Sequence, residues 1–268
     1  MPHLQINGAN LYFEEHGTAQ EAIVFSHGLL WSGHMFYDQI AVLKNRYRCI
    51  AFDFRGQGQS EVSQSGYDIE SLYRDAVSLI EALGCSPCHF VGLSMGGFVG
   101  LRVAIRRPDL LKSLILIESS SDPEPKENIS RYRILNLVAR WIGLGVVANR
   151  VMEIMFGQKF LNDTARATLK QEWKERMVAN HRIGVTRAVT GVITRAGVTD
   201  QLALIKTPTL IIVGDQDVAT VPAKAKLMHA RISNSKLVII PGAGHTSTVE
   251  EPIAVTTILE EFLGGLGG

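Results

Sequence analysis

Three residues far apart in the chain, Ser94, Asp217 and His245, supply a hydroxyl, a carboxylate and an imidazole. A serine hydroxyl is inert near neutral pH until a base takes its proton, and an imidazole is such a base when a carboxylate holds its tautomer. Ser94 is the one whose local sequence is most telling. It lies in Gly92-Leu93-Ser94-Met95-Gly96, between an apolar β-type run from Cys88 and a helix-like stretch over 98–107. This is the pattern of a nucleophile elbow, a strained strand-to-helix turn that lifts the serine oxygen clear of a sheet. Backbone crowds such a turn two places either side of the serine, and glycine at 92 and 96 leaves no side chain there to clash. The chemistry these residues could perform is acyl transfer.

His245 is the candidate base because it ends the glycine-rich loop Pro241-Gly242-Ala243-Gly244 after an apolar run, downstream of a carboxylate. His89 lies inside the strand before the elbow and reads as a packed residue. Three carboxylates at strand ends compete for the acid's place: Asp217 is favoured, Asp215 is expected to cap the turn they share, and Glu118 to anchor the base of the segment that follows it. A developing oxyanion needs backbone donors. The Met95 amide, at a helix N-terminus, and the Leu29 amide, in the turn Ser26-His27-Gly28-Leu29-Leu30-Trp31, are the candidates. Trp31, His34, Met95, Trp141, Met155 and Phe156 are candidate pocket-lining groups.

The elements that must position these groups alternate. A hairpin is predicted over residues 3–15 with an Asn7-Gly8 turn. Strands are predicted at 22–26, 48–52, 88–91, 114–118, 209–213 and 237–240, and helices at 35–44, 68–83, 95–106, 222–230 and 251–263. Alternation of this kind gives an α/β architecture, a mainly parallel sheet with helices on both faces. It stops between 121 and 200, where Asp122-Pro123-Glu124-Pro125 forms a stiff polar hinge and helical patches follow. The expected organisation is a core domain of residues 1–120 and 201–268 with a helical lid at 121–200. The lid holds thirteen Lys and Arg against eight Asp and Glu, and the rest of the chain is net negative. A basic lid could draw anionic substrates toward the cleft.

Composition narrows the class. A chain of 268 residues, 46% hydrophobic, can bury a large core, and a net charge of +1 offers no electrostatic footprint for nucleic acid. The start of the chain has no basic segment followed by an apolar one, and no run approaches the ~20 apolar residues of a membrane span. A soluble, cytoplasmic protein with no membrane partner is expected, its oligomeric state left open. Three cysteines fit a reducing compartment, and Cys85-Ser86-Pro87-Cys88 lacks both the second pair of a zinc site and the helix start of a redox dithiol. No metal or cofactor is expected.

Taken together, Ser26-His27-Gly28, Asp53-Phe54-Arg55-Gly56-Gln57-Gly58-Gln59-Ser60, Gly92-Leu93-Ser94-Met95-Gly96-Gly97, Gly214-Asp215-Gln216-Asp217 and Gly244-His245 resemble the motif series of the α/β-hydrolase superfamily. The chain is similar to its group of small esterases, 3-oxoadipate enol-lactonases and cofactor-free haloperoxidases or perhydrolases. The resemblance implies the α/β-hydrolase fold, Ser94, Asp217 and His245 as a triad, Leu29 and Met95 as oxyanion donors, and a structural turn at 53–60. It implies a small-molecule ester or lactone as substrate, with perhydrolysis as an alternative fate of the same acyl-enzyme. Relatives that displace halide or open epoxides carry aspartate at the position of Ser94. A non-catalytic ligand receptor on the same fold is the contrasting reading.

Overall fold

The computed structural model describes residues 2–266. Eight strands form one sheet in the order β1-β2-β4-β3-β5-β6-β7-β8. They are β1 (His3–Ile6), β2 (Ala9–His16), β3 (Ala22–Ser26), β4 (Arg48–Phe52), β5 (Cys88–Leu93), β6 (Leu111–Ile117), β7 (Thr209–Gly214) and β8 (Ser235–Ile240). The β1–β2 and β2–β4 pairs are antiparallel and every other pair is parallel. Strands β3, β5, β6 and β7 are apolar along almost their whole length because helices cover both of their faces. Two buried hydrophobic clusters result, one on each side of the sheet.

Between the strands of the core run α1 (Tyr37–Leu43), α2 (Ile69–Ala82) and α3 (Met95–Arg106). The helix expected at 35–44 begins as a tighter turn, Gly33–Phe36, before α1 proper. An insertion between β6 and β7 carries α4 (Lys126–Trp141), α5 (Leu144–Met155), α6 (Gln158–Asn162), α7 (Ala167–Val178) and α8 (Arg182–Ile193). The chain closes with α9 (Pro222–Arg231), α10 (Ser247–Glu250) and α11 (Pro252–Gly264). No helix among the described residues is long and apolar enough to cross a membrane.

Register brings the functional loops to one edge. Ser26 pairs with Gly92, Leu93 with Ile117, and Gly214 with Ile240, so the segments leaving β3, β5, β6, β7 and β8 emerge side by side at the carboxyl ends of the strands. Strand β5 runs to Leu93, two residues beyond the predicted end, because Gly92 and Leu93 still pair with Leu116 and Ile117. The turn after it is closely packed. A Cβ at Gly96 would stand 2.0 Å from the Ser26 carbonyl oxygen, and one at Gly92 2.4 Å from the Gly96 oxygen. Ser94 itself has φ of +50°, a conformation that costs on the order of 1–3 kcal/mol for a residue with a Cβ.

The loop after β3 is braced from the neighbouring strand end. His27 is fully buried, and burial pushes its pKa down to about 4, so the ring is neutral at pH 7. Its Nδ1 donates to the Gly28 carbonyl at 2.7 Å, leaving Nε2 to accept from the Phe54 amide at 2.9 Å. Asp53 accepts from the Gly33 and Gln59 amides, and Gln57 Oε1 accepts from the Leu30 amide at 2.7 Å. The turn at 53–60 thus holds the Gly28–Trp31 loop in place. Cys49, Cys85 and Cys88 are buried free thiols.

Because the His27 pKa is lowered on folding, the unfolded chain binds a proton that the folded chain refuses. The associated stability is present above pH ~6.5 and is lost as pH falls toward 4. Denaturant titrations across this window should show a loss of up to about 3 kcal/mol in the wild type that His27→Gln does not show; parallel pH dependences in the two proteins would contradict this assignment.

Candidate active site

The elbow and two loops bring the three chemical groups together. His245 Nε2 lies 2.8 Å from Ser94 Oγ, and His245 Nδ1 lies 2.8 Å from Asp217 Oδ2. All three side chains are buried. Each is held by its own element. The Ser94 amide donates to the Ile117 carbonyl at 2.8 Å, and Ser119 Oγ donates to the Ser94 carbonyl at 3.0 Å. Asp217 follows β7 and accepts from the Ala219 and Thr220 amides at 2.7 and 2.9 Å and from Thr220 Oγ1 at 2.7 Å. His245 follows β8 in a loop gripped on both sides by Glu250.

Burial alone would push the Asp217 pKa up, but the His245 charge and the hydrogen bonds from His245 and Thr220 outweigh it and hold the carboxyl well below the usual range. An ionised Asp217 only accepts, so His245 Nδ1 carries a proton and Nε2 faces the Ser94 hydroxyl as an acceptor. Asp215 is excluded from this chain of bonds; its Oδ1 caps the turn by accepting from Gly242 N at 2.7 Å.

Glu118 differs from the role expected of it. It does not anchor the insertion. It is fully buried behind Asp217 at φ of +46°, with the Gly214 amide donating to it at 2.9 Å. Burial, then the charge of Asp217, drives its pKa well above the ordinary value, and the two side chains share a hydrogen bond. The neutral form of Glu118 is thereby favoured beside the charged Asp217. The base of the insertion is tied down instead by Asp122, which accepts from Lys224 and Thr199, and by a buried Glu124–Arg195 ion pair at 2.9 Å.

Glu250 was not anticipated, since nothing in the spacing of an acid five residues after His245 marks it. Its Oε2 accepts from Gly157 N at 2.8 Å and Gly244 N at 3.0 Å, and its Oε1 from Thr246 N at 3.0 Å. One carboxyl group thereby joins the His245 loop to the start of α6. His89 is packed as expected, bonded to Ser113 and Glu21.

Ser94 and His245 open onto a cavity of about 120 Å³. Its floor includes Gly28, Leu29 and Leu93, and α4, α5, α7 and α8 roof it with aliphatic side chains such as Leu135, Val147, Val151, Val189 and Ile193. Among the described residues neither the Leu29 nor the Met95 N–H meets an acceptor; Met95 follows Ser94 in the chain and Leu29 lines the same cavity. Trp31 and Met155 line the cavity. Four expected lining residues do not. Met95 is fully buried in the core, Trp141 ends α4 on the opposite face and is 76% exposed, His34 lines a separate polar cleft with Glu14 and Arg176, and Phe156 packs as a backing layer against Trp31 and Phe160. For Trp141, apolar type alone does not say which face of a helix a residue occupies. Among the described residues the wall carries one acid, Glu124, and one Lys or Arg, Arg195, and they are paired to each other.

The fold, the elbow and the loop order together define a class. A family model described as the alpha/beta hydrolase fold matches residues 21–252, and the chain belongs to that family. Among individual proteins it is similar to 3-oxoadipate enol-lactonase 1 of Acinetobacter baylyi, 29% identical over 245 residues that cover 90% of this chain and 88% of the relative. Its structure is similar to that of a thermophilic esterase from Thermogutta terrifontis (TM-score 0.91, 27% identity, 99% of each chain). It is equally similar to the enol-lactonase from Burkholderia xenovorans LB400 (TM-score 0.91, 26% identity, 98% of this chain and 100% of that one).

Replacing Glu118 tests the carboxyl pair. Glu118→Gln keeps a donor toward Asp217 and should retain turnover of an activated ester within about tenfold. Glu118→Ala leaves Asp217 and the Gly214 amide without that partner and should lower kcat by roughly 10-fold or more with KM unchanged. Equal rates in the two variants would show that the Glu118 proton does nothing for Asp217.

Proposed function

We propose that the protein hydrolyses carboxylic esters or lactones through an acyl-enzyme on Ser94. The observation that carries this reading is the unbroken hydrogen-bonded series from Asp217 through His245 to Ser94, ending at a cavity with two unengaged amides. His245 Nε2 takes the hydroxyl proton as Ser94 Oγ attacks the substrate carbonyl. The oxyanion is received by the Leu29 and Met95 N–H groups, each donor of this kind contributing on the order of 10²–10³ in rate. Asp217 stabilises the imidazolium, which then protonates the departing alkoxide. A water deprotonated by His245 attacks the acyl-enzyme and releases the acid. With a lactone the alkoxide stays tethered, and the product is a hydroxy acid.

The wall chemistry favours an uncharged, aliphatic acyl group. A carboxylate-bearing enol-lactone would have to leave its charge against aliphatic side chains, because Arg195, the one Lys or Arg at the wall among the described residues, is already paired with Glu124. The excess of basic residues in the insertion does not reach the cavity. Similarity to an esterase and to enol-lactonases supports the ester-or-lactone reading at the level of reaction, and the aliphatic wall supports neutral over anionic substrates within it.

Initial rates with activated esters of increasing acyl length, and with neutral and carboxylate-bearing lactones, test the proposal. Turnover should fall by roughly four orders of magnitude in Ser94→Ala. Neutral substrates should exceed carboxylate-bearing ones by about tenfold or more in kcat/KM. Retained turnover in Ser94→Ala would overturn the mechanism, and a preference for the anionic lactone would overturn the substrate reading.

A further inference from the structure

Helix α4 has two apolar faces. One, carrying Leu135 and Ala139 beside Tyr132 and Asn136, lines the cavity over Ser94. At about 100° per residue, Ile134, Leu137 and Trp141 fall on the opposite side of the helix. That side has nothing packed on it: with Ile142 and Val146, which continue it into α5, these side chains are 58% to 76% exposed. Five large apolar residues in one short stretch are this exposed, an accumulation that soluble monomers seldom leave open.

The charges beside the stripe indicate what covers it. Lys126, Arg133 and Arg140 flank it on one side and Arg131 on the other. None of the four makes an ion pair among the described residues. The single acid of α4 is Glu127, in its first turn. A second copy of the chain, meeting this one face to face, would set these arginines against each other, so the charge pattern argues against self-association. Arg140 is half-buried and donates to Thr186 Oγ1, while Lys126, Arg131 and Arg133 stay exposed, Arg131 alongside the Tyr132 ring. A stripe of Ile, Leu and Trp edged by exposed cations matches the helices that lie in the interface of an anionic lipid surface, the apolar residues entering the acyl boundary and the cations meeting headgroups.

We propose that the outer face of α4, continued by Ile142 and Val146, docks the protein reversibly on anionic lipid surfaces. Docking would set the roof of the cavity at the boundary where sparingly soluble neutral esters concentrate, with the inner face of the same helix already lining their path to Ser94. The docking itself is independent of the catalytic reading, because it can be measured without turnover.

Flotation of the full chain with vesicles of phosphatidylcholine alone and of phosphatidylcholine mixed with phosphatidylglycerol tests the proposal. Binding should be stronger by about tenfold or more on the anionic vesicles, weaken with salt, and fall by about tenfold or more in Ile134→Ser/Leu137→Ser/Trp141→Ser and in Arg131→Gln/Arg133→Gln. Turnover of a short, soluble ester should be unchanged in both variants, which also reports that they are folded. Absence of binding to either vesicle, or undiminished binding by the triple variant, would overturn the proposal. So would a concentration-dependent dimer of the wild type that the triple variant abolishes, because the face would then belong to a second copy.

Discussion

Asp217 keeps a negative charge in a place from which water has been almost wholly removed, and the surroundings of Ser94 follow from what that requires. Two backbone amides and the Thr220 hydroxyl replace the lost hydration, and the remaining lone pair is taken by His245 Nδ1–H. A second charge beside it is disfavoured, and burial together with the Asp217 charge raises the pKa of Glu118 well above the ordinary value. The arrangement sets the tautomer of His245, and so directs the basic nitrogen at Ser94. A base in water would have to reorganise solvent as charge moved onto it; here the dipoles that receive the charge are already in position.

The second constraint is geometric. Ser94 can stand between β5 and α3 at a positive φ only because the Ser26 loop and the start of α3 approach each other through glycine. The same closeness brings the Gly28–Trp31 loop against the elbow, a Cβ at Gly28 standing 3.5 Å from the Ser94 Cβ. Neutral His27, bonded on both nitrogens, and the turn at 53–60 keep the Leu29 side of that gap from drifting. Glu250 performs the equivalent task for His245 and also engages Gly157 of the insertion, so the insertion and the His245 loop share one buried carboxyl group.

Much of this was legible in the sequence because the relevant constraints are local. The elbow glycines, the strand ending in carboxylates and the glycine loop ending in His245 each carry their geometry in a few adjacent residues, and the strand-helix alternation specified the parallel sheet. The strand ends were less exact, as at β5, where pairing with β6 decides the boundary. Glu118 and Glu250 were misjudged or missed because their partners are backbone amides of distant loops, a relation with no periodicity. The cavity wall was the least legible part. Helix α4 is apolar on two sides, so Trp141 and Leu135 look alike in sequence while one faces solvent and the other the cavity.

The central claim is that buried charge on Asp217, transmitted through His245, makes Ser94 a nucleophile. Rapid-quench mass spectrometry during turnover of an activated ester that deacylates slowly addresses it most directly. The account predicts a transient adduct of one acyl group per chain, on the peptide containing Ser94, rising as fast as the alcohol is released and decaying at the steady-state rate. Alcohol release at full rate with no adduct, or an adduct on any other residue, would contradict it.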